Sequence, residues 1–485
     1  MESRRLALAV AVVAIALVSA TAVFGEDIYV KAGADGAGTK DAPLGLLWKA
    51  LDKARRGDVI HVTQGTYNSQ GGSGAFLMKV PDLTLAGGYN DDFSDRNPFK
   101  YMTILERAKD YKGDSTGLPE GIIAGKQGDD HSGLIVDGFV LNSQSRNSYF
   151  EDGKINAKDS WNGQLFQANS PNIHIRNCIL LNPYGDGIYS TWQGEDNEIS
   201  NTFIVNTFYN AIATRSAQEG SVIKIKNCTI AFVWFQPSKG GGMCVFVGRL
   251  GKTIMEDNIF AFAQTEGGES GFAVSNTFGN DETVMKNNIF FQCQGGYYKY
   301  MTEDKQSLVA WKPTDLADIN KDCESYVLSE AEGNVESDPK LKPEKDYFEK
   351  FSNFVASEPG KLNMDFLNEW RRSVGLPLQA EPGSPRKNWG MAYPLSSVVD
   401  CLGNSETGKG VITKGPFAQY QSKAAATAAK EYAEVAFDIF KKDAEGMKSL
   451  AAKPVQFKAG IGPDDRTFLL KDVTGDNYAC VKLLM

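Results

Sequence analysis

Short segments in which apolar and polar residues alternate recur through the middle of the chain, and each ends at an asparagine or aspartate. Residues 173–176 and 222–226 are examples, with every second residue apolar. This alternation is typical of β-strands with one buried face, whereas an amphipathic helix would show a 3.6-residue stripe. The pattern predicts a series of short strands between residues 172 and 300.

Two phrases repeat along this stretch. The first is an Asn or Asp, a second small or polar residue and a mostly apolar pair, and its copies start 24, 26, 30 and 30 residues apart. The copies begin at Asn177, Asn201, Asn227, Asp257 and Asn287. The second phrase is a small residue followed by an apolar one, as in Gly187-Ile188, Ala211-Ile212, Gly242-Met243, Gly271-Phe272 and Gly296-Tyr297. Two phrases that share one period indicate a repeat architecture.

The residue types favour one kind of repeat. Coils of two or three short strands cannot bury their apolar face alone, so successive coils stack in parallel about 4.8 Å apart. Asparagine suits the corners because it tolerates left-handed backbone angles, and its amide can hydrogen-bond to the asparagine of the next coil. The fold predicted is all-β, a right-handed parallel β-helix. A propeller is the alternative, but its blades need longer repeats and regular hairpins.

The chain divides into three parts. Residues 1–25 have the positive start, the apolar run and the small-residue cleavage site of a signal peptide, so we expect an exported protein. An uncleaved anchor is the alternative. Residues 26–420 form the β-helix, and residues 421–485 form a helical appendage with a small hairpin around 474–477.

The net charge of −9 argues against a nucleic-acid partner. It also argues against membrane binding through a cluster of basic residues.

Residues 26–67 predict an entry region in which an amphipathic helix at 46–54 caps the solenoid. The phrases Gly57-Asp58-Val59-Ile60-His61-Val62 and Gly65-Thr66-Tyr67 resemble the opening of secreted bacterial β-helix proteins of the pectate-lyase-like superfamily. This resemblance implies the fold and says little about activity.

A second block carries a more particular resemblance. It reads Leu83-Thr84-Leu85-Ala86-Gly87-Gly88-Tyr89, followed by Arg96-Asn97-Pro98. It is similar to a block in surface β-helix proteins of the polymorphic outer-membrane-protein type and in their uncharacterised bacterial relatives. Within it we expect Arg96 to pair with Asp92 or Asp95. The outer-membrane anchor of that family is not evident in the sequence.

Three further segments have distinct compositions. Residues 143–164 interrupt the period and predict a projecting loop, of the kind that lines the binding face of a solenoid. Residues 346–379 predict a helical segment packed against the side. Residues 423–450 predict an amphipathic helix whose apolar face needs a partner. That partner is either the end of the solenoid or another protein.

The seven cysteines do not suggest a disulfide framework. Cys178 and Cys228 occupy the same position two coils apart, about 9.5 Å, which exceeds the roughly 7 Å limit for a bridge. We expect both to be small buried residues of the core. Cys401 and Cys480 can still pair with each other.

Catalytic patterns are weak. A polysaccharide lyase needs a cation to neutralise a uronate carboxylate and a base to remove the neighbouring proton, and Arg176, Asp186 and Arg215 are the candidates for such a site. Residues 128–131 resemble part of a polygalacturonase motif without its other blocks. The densest acidic group is Asp91, Asp92 and Asp95, for which a capped turn is favoured over a Ca²⁺ site. The three unclustered histidines support no zinc site, and we expect no cofactor.

Aromatic residues at the corners and in the second strands give the better binding signal, because rings that repeat with the coils can stack on sugars. The glycan-binding candidates are Tyr184, Tyr189, Trp192, Tyr209, Trp234, Tyr297 and Tyr298. The alternative is that about half of them point into the core or cover loops.

The sequence therefore predicts a secreted, periplasmic or cell-surface β-helix that acts as a non-catalytic binding or structural component of the envelope or matrix. Its expected partner is a polysaccharide or an envelope protein. One alternative is a lyase, or another carbohydrate-active enzyme, that acts on acidic glycans. A second alternative is a subunit of a larger extracellular assembly that docks through residues 423–450.

Overall fold

The computed structural model describes residues 25–339 except for 72–73, 109, 112–120, 126–127, 144–147, 150–162, 208, 215–216, 234–240, 264–270, 292, 294 and 302–314. It also describes residues 341, 386–387, 408–414, 417, 420, 456–459 and 466–469. Two compact units are present. The larger comprises Ile28–Ala54 and Ile60–Gln419, and the smaller comprises Met1–Asp27, Arg55–Val59 and Tyr420–Met485.

Three parallel sheets, here called A, B and C, make up the solenoid. Sheet A contains Asp27–Val30, Val59–Thr63, Thr84–Tyr89, Ile135–Asp137, His174–Arg176, Asn197–Ser200, Val222–Lys226, Lys252–Glu256, Thr283–Lys286 and Glu330–Glu332. Sheet B contains Gly65–Asn68, Thr103–Glu106, Phe139–Asn142, Ile179–Leu181, Phe203–Thr207, Thr229–Val233, Ile259–Ala263, Ile289–Phe291 and Val335–Glu336. Sheet C contains Phe76–Met78, Ile123–Gly125, Phe166–Gln167, Ile188–Tyr189, Asn210–Ala213, Met243–Phe246, Phe272–Asn276 and Gly296–Tyr300.

The chain passes through sheets A, B and C in turn, and each strand pairs in parallel with its equivalent one coil later. One circuit is therefore one coil of a right-handed parallel β-helix, which confirms the predicted fold class. Inward side chains form apolar columns, such as Ile175, Ile199 and Ile225 in sheet A, and these three are fully buried. In sheet B the rings of Phe260 and Phe290 lie one above the other, 5.3 Å apart.

The corner between sheets A and B follows the prediction closely. Its turn residue has a left-handed φ in five successive coils, at Asn177, Asn201, Asn227, Asp257 and Asn287. The amide Nδ2 of Asn201 donates a hydrogen bond of 2.7 Å to Oδ1 of Asn177. Asparagine is favoured here because it accepts the left-handed backbone at lower cost than other side chains, and because the stacked amides bond to one another.

The next residue of each corner points inward and forms a second column. Cys178, Thr202 and Cys228 occupy it in the lower coils, where both cysteines are free and buried as predicted. Above them the column continues as asparagine, with Asn258 Nδ2 donating to Asn288 Oδ1 and Asn288 Nδ2 donating to Asn334 Oδ1, each at 3.0 Å. Buried amides are costly unless bonded, and each member satisfies the next.

Within the described residues, two short α-helices pack on the solenoid. The first, Leu47–Lys53, lies where a helix was predicted and buries Leu47, Ala50 and Leu51 in the common core. Its role as a cap stays a prediction. The second, Leu316–Lys321, was not predicted and buries Leu316 and Ile319. A 3₁₀ turn spans Glu324–Tyr326.

The second helix also closes the inner asparagine column. Asn334 Nδ2 donates to Oδ1 of the helical residue Asn320 at 2.9 Å, and Asn320 Nδ2 donates to the Asn334 carbonyl at 2.8 Å. The column therefore ends at Asn320, which bonds to the last amide of the column.

Among the helices of the described residues, none has the length and apolar character needed to cross a bilayer.

A segment from the C-terminal part of the chain, residues 409–412, runs along the A–B corner and is called the strap here. The amide of Gly410 donates to the Asp257 carbonyl at 2.8 Å, and that of Val411 donates to Thr229 Oγ1 at 3.1 Å. Ile412 exchanges two bonds with the Asn201 side chain, at 2.6 and 3.1 Å. The strap thus contacts three successive coils.

Other segments show isolated pairings. Residues Ser148–Tyr149, inside the predicted projecting loop, pair antiparallel with Arg386–Lys387. In the smaller unit, Gln456–Ala459 and Arg466–Leu469 form an antiparallel pair. The signal peptide, the side-packed segment 346–379, the helix 423–450, the hairpin around 474–477 and the Cys401–Cys480 pair lie outside the described residues.

Candidate functional site

The three corners of the solenoid differ in the length of their connections. Between residues 174 and 291, each A–B corner uses two residues, such as 177–178 and 257–258. The B–C connections range from 208–209 to 143–165. Because binding groups concentrate on variable connections held by a rigid scaffold, the B–C corner and the adjoining face of sheet C are the place to look for a site.

An outward row of side chains crosses sheet C in register. Its members are Leu77, Ala124, Gln167, Tyr189, Ala213, Phe246, Ser275 and Lys299. Each follows a residue of the apolar core, such as Phe166, Ile188 or Ile212, and strand alternation turns it to the opposite face. Gln167 and Tyr189 are partly exposed.

Four uncharged polar residues lie in, or two residues after, the paired strands Phe166–Gln167 and Ile188–Tyr189 of this sheet, and we call them the polar face. They are Gln167, Asn169, Tyr189 and Thr191, and all four are partly exposed. Asn169 Oδ1 accepts a 3.1 Å bond from the amide of Thr191, which ties the two coils together. Amide and hydroxyl groups can donate and accept, so this set offers hydrogen bonds together with one aromatic ring.

The upper coils of the same sheet carry a different chemistry. Phe246 meets Phe278 edge to face, with centroids 5.6 Å apart, and the Arg249 guanidinium lies 5.5 Å from the Phe278 ring. The Lys299 ammonium lies 5.5 Å from the ring of Phe272. Both cations therefore sit on aromatic faces, where the ring quadrupole favours them.

The B–C corner contains buried polar atoms for which the described structure shows no hydrogen-bond partner. These atoms are Ser143 Oγ, Gln164 Oε1, Thr207 Oγ1 and Asn210 Oδ1. Asp186 lies at the same corner and is buried, and its Oδ1 accepts a 3.0 Å bond from Asn210 Nδ2. Native proteins pair nearly all such atoms, so their concentration distinguishes this corner from the A–B corner.

The two lyase candidates among the described residues, Arg176 and Asp186, lie at different corners of the solenoid. Arg176 lies at the end of a sheet A strand, where its Nε donates to Asp137 Oδ2 at 2.7 Å. The buried Asp137 carboxylate also accepts from the buried Arg96 and from Asn177 Nδ2. Asp186 lies at the other end of the sheet B strand, and Arg215 is outside the described residues.

Arg96 corrects the pairing expected from the sequence. It bonds to Asp137 rather than to Asp92 or Asp95, and its Nε donates to the Gly87 carbonyl at 2.9 Å. A Cβ at Gly138 would lie only 2.9 Å from Arg96 Nη2, so glycine is needed for this close approach. Gly87, which accepts a bond from Arg96, and Gly138 together accommodate the buried ion pair between Arg96 and Asp137.

The acidic group at Asp91, Asp92 and Asp95 forms a capped turn. Asp92 Oδ1 accepts bonds from both the amide and the hydroxyl of Ser94, and these bonds lower the pKa of Asp92. Asp95 Oδ2 accepts from the Tyr101 hydroxyl at 2.9 Å. Within the described residues, no three His, Cys, Asp or Glu side chains are grouped to hold a metal ion.

His131, in the motif resembling a polygalacturonase, is fully buried. Its Nε2 accepts a 2.9 Å bond from the amide of Asn169, and its ring packs on Gly125, where a Cβ would lie 2.1 Å away. Burial lowers the pKa of His131. The imidazole is thus a neutral acceptor inside a turn, and it has no access to a substrate.

Burial corrects four of the seven aromatic candidates. Tyr184, Trp192, Tyr297 and Tyr298 are buried, so their rings are not available to stack on a sugar. Trp192 Nε1 donates to the Ala213 carbonyl at 3.0 Å, and the Tyr298 hydroxyl donates to the Tyr326 carbonyl at 3.0 Å. Tyr189 and Tyr209 remain partly exposed, whereas Trp234 lies outside the described residues.

Comparisons with known proteins add to the fold only. No family model matches the sequence, and no curated protein matches it. Among solved structures, a pectin methylesterase from Erwinia chrysanthemi is 11% identical, with a TM-score of 0.33 over 64% of this chain and 87% of that chain. A pectate lyase is 11% identical, with a TM-score of 0.33 over 71% and 89% of the two chains.

A rhamnogalacturonan lyase is also 11% identical, with a TM-score of 0.33 over 57% of this chain and 81% of that chain. A likeness at this level is one of fold alone.

Proposed function

We propose that this protein is a non-catalytic carbohydrate-binding β-helix that holds a polysaccharide along the outer face of sheet C. The observation that supports this proposal is the polar face formed by Gln167, Asn169, Tyr189 and Thr191. Sugars present hydroxyl groups that both donate and accept, together with apolar ring faces. Amide, hydroxyl and tyrosine side chains complement both features without carrying a charge.

The scaffold suits a polymeric ligand. Adjacent coils are about 4.8 Å apart, so Gln167 and Tyr189 lie side by side along the solenoid axis, while Ala124 and Ala213 on either side of them in the row are buried. The strands that carry Gln167 and Tyr189 pair directly with each other through Phe166 and Ile188. A face fixed by backbone pairing loses little conformational entropy when a ligand binds, which favours affinity.

The charged residues support binding over catalysis. A lyase on this scaffold needs a base and a carboxylate-neutralising cation at one place. Of the sequence candidates, Arg176 is held by Asp137, while Asp186 is bonded to Asn210 at another corner. We place the protein outside the cytoplasm because of the predicted signal peptide, as an envelope or matrix component. Docking through residues 423–450 is part of this proposal.

The test is affinity gel electrophoresis of the protein in neutral polysaccharides, such as xylan, mannan and β-glucan, and in uronate polymers. We expect at least one neutral polymer to retard the protein. Tyr189→Ala should weaken that binding roughly tenfold, equivalent to about 1.4 kcal/mol, and Gln167→Ala should also weaken it. Tyr101→Ala is the matched control, since Tyr101 is also partly exposed but lies near Asp95, away from sheet C.

Two results would overturn the proposal. Equal retardation of the wild type and of Tyr189→Ala would show that the polar face is not the binding surface. Formation of an unsaturated, ultraviolet-absorbing product from a uronate polymer would instead support the lyase alternative. Circular dichroism of each variant separates a lost contact from a lost fold.

A further inference from the structure

The outer face of sheet A is open to solvent and charged. Successive strands pair in register, so their outward side chains form two rows along the solenoid axis. The polar and charged members of these rows on four successive strands are Arg176, Glu198, Ser200, Lys224, Lys226 and Glu256. Both lysines are exposed, and the other four residues are partly exposed. On sheet B, by contrast, outward residues such as Phe203 and Ile259 are apolar and fully buried.

The charges in the middle of this face are not paired within the chain. In the part of the chain that the structure describes, neither of the two lysines forms an ion pair, and neither does Glu198 or Glu256. Arg176, at the edge of the face, differs because it donates to Asp137 at 2.7 Å. The central charges are therefore available to a second molecule.

The signs of these charges alternate from coil to coil. Glu198 pairs in register with Lys224, and Lys226 pairs in register with Glu256. A row of alternating charges is complementary to its own reverse when the midpoint lies between two opposite charges. A twofold axis parallel to the strands produces this reversal, because it inverts the order of the coils and keeps each residue at its place along the strand. Two copies can therefore meet face to face, with each row against the same row of the other copy.

One placement of the axis matches the charges of both rows. With the axis midway between Glu198 and Lys224, each of these residues faces the other one on the second copy. Lys226 then faces a serine hydroxyl, which can accept a bond from its ammonium group. One coil further out, Arg176, whose side chain is 30% exposed, faces Glu256. Every contact occurs twice because the axis is twofold, and no like charges meet across these four strands.

Other placements match less well. Moving the axis onto the strand of Lys226 would set this residue against its own copy, and Arg176 against Lys286. Moving it one coil further would set Lys224 against the apolar Ile254. Like charges in contact oppose association, and a charge held against an apolar side chain gains nothing, so the first placement is favoured.

We propose that two copies of this protein associate through the outer faces of sheet A, antiparallel to each other, about the axis between Glu198 and Lys224. Face-to-face sheets pack about 10 Å apart, a gap that opposed lysine and glutamate side chains bridge. Four strands of up to five residues cover roughly 300 Å² of sheet, well below the roughly 800 Å² per partner of a standard complex. The dimer is therefore weak, with a Kd of about 10–100 µM, and sensitive to salt.

The experiment is sedimentation velocity of the full chain from about 5 to 200 µM, in about 50 mM and about 500 mM NaCl. We expect a monomer–dimer equilibrium in the lower salt that weakens by at least about tenfold in the higher salt. Lys224→Glu and Glu198→Lys each set like charges against each other at the axis, so each should weaken the dimer by at least about tenfold. Lys49→Glu is the matched control, because it changes the charge equally but is an exposed residue of the helix Leu47–Lys53, outside sheet A.

Mixing the two variants gives the sharper test. In the mixed dimer, the unchanged Glu198 of one variant faces the unchanged Lys224 of the other, and the two substituted side chains face each other with opposite charges. The mixture should therefore recover the association that each variant lacks alone, which would also show that both variants are folded. A wild type that stays monomeric at about 200 µM in the lower salt would overturn the proposal. So would a dimer that both single variants leave unchanged, or a mixture that does not recover.

Discussion

The A–B and B–C corners lie at the two ends of the same sheet B strands, yet they differ in length, conformation and hydrogen bonding. The A–B corner repeats one two-residue turn with a left-handed Asn or Asp, and Asn201 bonds to Asn177 across the coils. The B–C corner varies in length and keeps polar atoms such as Thr207 Oγ1 without a described partner. A fixed, fully bonded corner sets the register, which leaves the other corner free to vary and to bind.

The largest effect should come from Asp137, whose carboxylate lies between two guanidinium groups beside the A–B corner. Asp137→Ala leaves the buried Arg96 without its counter-charge, so we expect a loss of about 3–5 kcal/mol in the free energy of unfolding. Urea denaturation followed by circular dichroism measures it. Arg176→Ala is the control, and it should cost much less because its side chain is 30% exposed. Equal losses would contradict the account.

Asn201 tests the left-handed turn itself. Asn201→Ala keeps a β-carbon at a φ of 46° but loses the short polar side chain that makes this conformation less costly for asparagine, together with the bonds to Asn177 and Ile412. We expect a loss of about 2–3 kcal/mol in the free energy of unfolding. Asn201→Gly removes the same bonds and tolerates the turn, so it should cost about 1–2 kcal/mol less than alanine. Denaturation of both variants measures the difference. An alanine variant as stable as the glycine variant would rule out backbone strain as the reason for asparagine.

Substituting two threonines of one coil, one at each corner, compares the hydrogen bonding of the two corners directly. Thr202 and Thr207 are both fully buried, but Thr202 Oγ1 donates to the Ser200 carbonyl at 2.8 Å, while Thr207 Oγ1 has no described partner. Thr202→Val should therefore cost about 1–2 kcal/mol, whereas Thr207→Val should be neutral or slightly stabilising. Thermal unfolding of the two matched variants gives the answer. A cost for Thr207→Val equal to that of Thr202→Val would mean that both corners are equally bonded.

The smallest expected effect is a dependence of stability on pH, and it arises from His131 in the third corner, between sheets C and A. Because the pKa of buried His131 is lowered, the unfolded chain binds a proton below pH about 6.5 while the folded protein does not. Stability should fall as the pH drops from about 6.5 to the folded pKa, by up to about 1.4 kcal/mol per pH unit. His131→Gln should remove this slope, and His174→Gln should leave it in place. Denaturation midpoints across the acid range test both.

The repeat and the A–B corner could be predicted because each depends on one residue type at one spacing. The second phrase could not be placed in register by spacing alone. Ile212 pairs with Val245, two residues after the Met243 expected from the pattern, since the B–C connections differ in length. Because of this shift, the sequence does not show which residues share the outward row of sheet C. Gln167 and Asn169 were therefore not among the predicted binding residues.

Contacts that span several coils were also beyond sequence reasoning. Arg96 lies close in the chain to Asp92 and Asp95, but its partner Asp137 is 41 residues away. The helix Leu316–Lys321 had one local signal, since Asp315 caps it by accepting a bond from the Ala317 amide. Four of the seven aromatic candidates proved to be buried, because a ring at a corner can turn inward or outward and the sequence does not show which. The packing of Trp192 and Tyr298 shows that these rings point inward.

The strap changes how the solenoid is expected to open. In a simple stack each coil touches only its neighbours, so one coil can unzip from an end without disturbing those further away. Residues 410–412 bond to Asp257, Thr229 and Asn201 on three consecutive coils and so link coils that are not adjacent. Amide hydrogens of these three coils should therefore exchange with solvent together, as one unit that opens only when the strap lifts.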